Sequence, residues 1–144
     1  MRKFYDSTNV RMEGSFVPAP EGIYVLSIVK VTDRKDGGQW KTKNGDDYVS
    51  VECEISDRGD SFGKKIWYGV TFMNDPEAKG AGMSVHFLKS IGEPWEGKFE
   101  IDTDAWIGKK FKARVIVTKG LNGKPRNEVA WIIDGDEDSD EVPF

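Results

Sequence analysis

Residues 48–72 read YVSVECEISDRGDSFGKKIWYGVTF. Two strict alternations inside this stretch decide the fold. Over 48–56, Val49, Val51, Cys53 and Ile55 point one way, and Tyr48, Ser50, Glu52 and Glu54 the other. Over 63–72, Ile66, Tyr68, Val70 and Phe72 form an inward set, and Lys65, Trp67, Gly69 and Thr71 an outward one. A period of two belongs to a strand with one buried face. A short turn around Arg58-Gly59-Asp60 joins the two runs. Trp67, set outward between Lys65 and the small Gly69, is a poor choice for solubility and a good platform for a flat ligand.

Upstream, residues 22–32 are rich in β-branched side chains and predict a long strand. Ile23, Val25, Val29 and Val31 fall on one side, Leu26 and Ile28 on the other. A strand apolar on both sides is buried twice, or bends from one layer of a sheet to another. Residues 33–47 read as a polar loop with an Asn44-Gly45 turn signal. Residues 1–21 are a mixed, polar N-terminal arm with little regular structure, whose Phe4, Tyr5 and Phe16 are expected to pack on the body.

Downstream, 82–91 has helical spacing, with Met83, Phe87, Leu88 and Ile91 on one face and Gly92 as the stop. Residues 93–103 are a connector. A fourth strand is expected over 108–118, with Phe111, Ala113, Val115 and Val117 inward and Lys110, Lys112 and Arg114 outward. A hairpin loop with an Asn122-Gly123 turn leads to a closing strand over 127–133. Three strands, one helix and two strands predict an all-β, five-stranded OB-fold barrel, residues 22–133, with a capping helix between strands three and four. A β-sandwich needs more strands than these.

The chain has 144 residues, the size of one domain, and a net charge of −4 that hides an asymmetry. Six of its 25 acidic residues lie in residues 134–144, which read DGDEDSDEVPF. The body therefore carries 19 acids against 21 bases, an approximately neutral surface that can still hold a local basic groove. Such an acidic run predicts a disordered tail. Its apolar end sets the Phe144 ring beside the terminal carboxylate, a pair that can dock into an apolar pocket rimmed by Lys or Arg. The single cysteine, Cys53, reads as a buried core thiol in a chain kept in a reducing, cytoplasmic compartment. No signal peptide or long apolar run is present in the sequence, so no membrane role is expected.

Catalytic chemistry finds little support. His86, the only histidine, has no nucleophile in a recognisable setting with it and reads as structural or surface. No Cys/His cluster supports zinc, and no phosphate-binding loop motif is complete. The spacing Asp134, Asp136, Asp138 lacks the glycine and glutamate of a calcium loop. Glu52 and Glu54 alternate on one strand face, but no third ligand or base accompanies them for a magnesium nuclease. No catalytic residue, cofactor or metal is expected.

Basic and aromatic residues are more informative. The first loop carries Arg34, Lys35, Trp40, Lys41 and Lys43. Strand two offers Tyr48, and strand three offers Lys65 and Trp67. Lys112 and Arg114 lie on strand four, and Lys119, Lys124 and Arg126 in the last hairpin. In an OB-fold, strands two and three and these two loops frame a groove for oligonucleotides. Single-stranded DNA needs cations for phosphates and flat rings for unstacked bases, each ring contributing about 1–3 kcal/mol whatever the base. Tyr48, Trp67 and Trp40 are placed for stacking, whereas Trp95, Trp106 and Trp131 read as packing residues.

An OB-like body with a C-terminal run closing on Asp-Glu-Val-Pro-Phe resembles the single-stranded DNA-binding proteins of bacteria and, in its body, their diverged phage counterparts. The tail match covers residues 136–144. The resemblance implies sequence-independent binding of single-stranded DNA in replication, recombination and repair, in the cytoplasm of the cell or phage host. It also implies that Glu137, Asp138, Asp140, Glu141, Pro143 and Phe144 recruit replication and recombination proteins and compete with DNA for the groove. Bacterial members of this family assemble, so a homo-oligomer is compatible with it. A protein-interaction module built on the same barrel, without nucleic acid, is the alternative.

Overall fold

The structure, a computed structural model, describes residues 1–4 and 17–133. The tail, including the six residues expected to recruit partners, lies outside the described residues, as do Tyr5 and Phe16 of the arm. Among the described residues, five long strands form one antiparallel sheet. They are β1 (Gly22–Thr32), β4 (Asp47–Ile55), β5 (Lys65–Phe72), β6 (Lys110–Lys119) and β7 (Pro125–Ile133), in the order β5-β4-β1-β6-β7. The outer strands β5 and β7 approach each other, so the sheet is nearly closed and barrel-like, consistent with an OB-like architecture.

The two deciding alternations form as expected. Val49, Val51, Cys53, Ile55, Ile66 and Val70 are buried, and Trp67 is 57% exposed. The doubly apolar first strand bends. Its first half pairs with β6 from Gly22↔Val115 to Ser27↔Lys110, and its second half pairs with β4 up to Thr32↔Ser50. A bulge between Ile28 and Lys30 shifts the phase. Leu26 and Ile28 thus enter the core before it, and Val31 packs against the core after it. This strand joins the two halves of the barrel wall.

The one α-helix among the described residues, α1 (Ala81–Ser90), follows β5 in the chain and packs against β5 and β7. Phe87, Leu88 and Ile91 reach the core as the spacing predicts. Met83 does not: it is 60% exposed, and Ser84 takes the buried place in that turn. Gly92, at φ 77°, ends the helix in the left-handed conformation that costs a glycine least. A 3-10 helix over Thr103–Trp106 fills the stretch between the expected connector, residues 93–103, and the fourth strand. The Asp102 side chain accepts from the Asp104 N–H, and Trp106 becomes the largest fully buried side chain. Its ring packs edge-on to Phe87 at 5.3 Å.

Three further expectations are corrected. The loop 33–47 contains a small hairpin, β2 (Arg34–Lys35) with β3 (Gly38–Gln39), whose turn residues Asp36 and Gly37 both have positive φ. Val117, expected inward, is exposed near the end of β6. In the arm, Phe4 is fully exposed, and Ala19 is the residue that docks. The Asn127 side chain accepts from the Ala19 N–H and donates to the Ala19 carbonyl, both at 2.9 Å. Lys64 Nζ donates to the Val17 carbonyl at 2.7 Å. Residues 17–19 are thereby tied both to β7 and to the segment leading into β5.

No helix among the described residues is long and apolar enough to cross a membrane.

Candidate functional site

The outward sets of β4 and β5 meet in register: Tyr48↔Thr71, Ser50↔Gly69, Glu52↔Trp67 and Glu54↔Lys65. Side chains opposite one another on a face lie within contact range, so a large ring at 48 needs a small neighbour across the ladder. Gly69 supplies it. A Cβ at 69 would lie 2.9 Å from two ring carbons of Tyr48 and nearer still to its hydroxyl. The Tyr48 ring lies over that bare backbone. Trp40 meets Tyr48 edge-on at 4.7 Å, and Lys35 Nζ stands 5.2 Å from the centre of the Trp40 ring. The β2–β3 hairpin is thus linked through one row of rings to the face of β4 and β5.

On the opposite wall, β7 presents Arg126 and Glu128 on one face, with Asn127 turned inward and held by Ala19. Tyr48, Ser50, Lys65, Trp67, Gly69, Arg126 and Glu128, with Tyr68 and Asn127, line one cavity of about 420 Å³. That size is in the range of pockets that enclose small ligands. Its cations have partners: Arg126 Nη2 donates to Glu128 Oε1 at 2.7 Å, and Lys65 Nζ is 3.6 Å from Glu52 Oε2. Both pairs are partly solvent-exposed and contribute little to stability.

Four of the residues singled out from the sequence, Tyr48, Lys65, Trp67 and Arg126, come together in this cavity. Trp40 and Lys35 join it through the ring contacts above. Arg34 is exposed on the same small hairpin, Lys43 is exposed beside the turn at Gly45, and Lys41 pairs with Asp47 at the start of β4. Lys119 and Lys124 are exposed around the β6–β7 turn, next in the chain to Arg126. Lys112 and Arg114 are not among the lining residues; they stand on the outer face of β6, in register with Val25 and Ile23 of β1. Ser50, Tyr68, Asn127 and Glu128 line the cavity without having been singled out. The alternation through Arg126 and Glu128 is the signal that could have found Glu128.

Burial, helped by the nearby Glu52 charge, pushes the Cys53 thiol up to about 12, so it stays protonated and inert at neutral pH. Burial also raises the Tyr68 hydroxyl above its ordinary value. His86 Nε2 lies 3.0 Å from the Ile132 carbonyl and ties α1 to β7. Beside it, a second cavity of about 460 Å³ is lined by Met83, Trp131 and their neighbours but by no Lys, Arg, Asp or Glu, so its chemistry does not suit a phosphate chain. Among the described residues, no three His, Cys, Asp or Glu side chains are grouped to hold a metal ion.

No protein-family model matches the chain, and no curated protein matches it.

Proposed function

We propose that this protein binds single-stranded DNA across the face of β4 and β5, on an OB-fold barrel with α1 as its cap. The observation that carries this is the exposed Trp67 ring sharing a cavity with the seated Tyr48 ring and with Lys65 and Arg126. Unpaired bases offer flat faces, and their backbone offers a regular series of negative charges. Two rings, one of them seated against Gly69 and Trp40, and two cations match both, and the basic β2–β3 and β6–β7 turns extend the match along a strand. In this account the 134–144 tail competes with DNA for the groove and recruits replication and recombination enzymes, Pro143 and Phe144 supplying the apolar contact and Glu137, Asp138, Asp140 and Glu141 the charge.

The partnered cations give the protein-interaction alternative its one support, since a carboxylate beside each lowers the positive potential. Bases still outnumber acids in the cavity lining, Lys65 and Arg126 against Glu128. The test is a mobility-shift series with single-stranded DNA, duplex DNA and RNA at two salt concentrations. Preference for single strands, with log K falling by about 0.7 per neutralised phosphate for each unit of log salt, supports the proposal. Indifference to all three nucleic acids at low salt leaves the interaction module in its place.

A further inference from the structure

The cavity contains a group that phosphate binding does not need. Glu128 is an acid on the wall facing the two rings, and it shares the site with the only arginine among the lining residues. A carboxylate repels phosphates. It is, however, an acceptor for the N–H groups on a base edge. Arg126 and Glu128 are two residues apart on one strand, so their side chains share a face, and they are already hydrogen-bonded at 2.7 Å. Between them the inward Asn127 makes two hydrogen bonds to Ala19, fixing the backbone that carries the pair. The wall therefore presents, side by side, two guanidinium donors and two carboxylate acceptors.

We infer that one position in the groove prefers guanine, read by Arg126 and Glu128 while the base stacks against Trp67 or Tyr48. Guanine carries two neighbouring acceptors, N7 and O6, followed by two neighbouring donors, N1–H and the 2-amino group. Arg126 donates to the first pair, as arginine does in specific contacts to this base. Glu128 accepts from the second. Adenine and thymine alternate donors and acceptors along the corresponding edge, and cytosine offers two acceptors beside a single donor, so none of the three gives Arg126 two acceptors and Glu128 two donors. Edge reading of this kind is available to single strands because their bases are splayed out. This inference rests on the DNA-binding proposal and adds one discriminating subsite to a groove that otherwise stacks any base.

The test compares the full chain's affinity for a short oligo-dT with that for the same oligo carrying one central guanine or one central hypoxanthine. Hypoxanthine lacks only the 2-amino group. The expected result is roughly tenfold tighter binding with guanine, the size of one good bidentate contact, with most of the gain lost for hypoxanthine. Glu128→Gln and Arg126→Lys are expected to erase the preference while retaining the melting temperature, since both side chains are about half exposed. Equal affinity for all three oligos overturns the inference and leaves the DNA-binding proposal standing. So does a Glu128→Gln protein that binds every oligo more tightly by one common factor, because the carboxylate is then only an electrostatic brake. A preference that survives Glu128→Gln also overturns it. If no oligo binds, the DNA-binding proposal itself fails.

Discussion

The Tyr48 ring lies directly over Gly69, at a spot where any β-carbon on residue 69 would come within 2.9 Å of two ring atoms. One glycine on an outward strand position thus decides where an aromatic side chain of the neighbouring strand can rest. Gly69→Ala is expected to displace Tyr48 and disturb its 4.7 Å contact with Trp40. The clashing atoms are the tip of a half-buried side chain, so the fold should tolerate the change with a loss of about 1 kcal/mol. Affinity for oligo-dT is expected to fall by up to the value of one stacked base, about 1–3 kcal/mol. Thermal melting and a DNA titration on the same variant separate the two effects. Unchanged affinity would remove Tyr48 from the interface.

Asn127 and Ala19 give a stability prediction. Asn127→Ala leaves the buried Ala19 N–H and carbonyl without their side-chain partner, at a cost on the order of 1–3 kcal/mol for each group. Asn127→Asp keeps an acceptor for the N–H but turns a second carboxylate oxygen toward the Ala19 carbonyl. It is expected to be destabilised at neutral pH and to recover as falling pH protonates the new side chain. Urea titrations at pH 7 and pH 4 check this against the wild type at the same two values; an Asn127→Asp protein as stable as wild type at pH 7 contradicts it.

The groove and the barrel were unequally legible in the sequence. Period-two patterning places Val49, Val51, Cys53 and Ile55 without reference to any distant residue, and β4 formed as expected. Trp106 is different. Its burial depends on a 3-10 turn packing against Phe87 from another part of the chain, and local spacing does not report that contact. The β2–β3 hairpin was legible in principle, since Asp36-Gly37 is a dipeptide that favours positive φ at both turn positions; its two-residue strands are too short for a period-two pattern to show. Met83 has the spacing of the core face, yet it is exposed and Ser84 takes the buried place in that turn. In the groove, the rings were evident from composition and alternation. Glu128 was not, because a carboxylate beside cations reads as ordinary surface until the opposing wall is in place.

Cys53 sets an alkaline limit on stability. Burial first, and the Glu52 charge second, hold its thiol at about 12 against an ordinary 9.0. Between these values the unfolded chain releases a proton that the folded chain retains, so the unfolded state gains relative stability as pH rises. The contribution is complete below pH 9 and is lost progressively from there to about pH 12. Cys53→Ala is expected to lower stability at neutral pH through the small cavity, while flattening this part of the decline. Denaturation of both proteins from pH 7 to pH 11 measures it; parallel curves contradict the assignment. The native thiol should also resist aromatic disulfide reagents at pH 8 and react only on unfolding.

For the tail, removal of residues 137–144 is expected to leave oligo-dT affinity equal or higher and to abolish capture of partner enzymes. Weaker DNA binding after the deletion contradicts competition between tail and groove.

Trp67 provides the most direct test, because it is exposed and its loss should cost the fold almost nothing. Oligo-dT is titrated into the full chain and into Trp67→Ala in dilute buffer, following intrinsic fluorescence and retention on a gel. The wild type is predicted to bind with its tryptophan emission quenched, and Trp67→Ala to bind about 1–3 kcal/mol more weakly with its melting temperature retained. Equal affinity of the two proteins, or no binding by either with and without the tail, would contradict a stacking groove on this face.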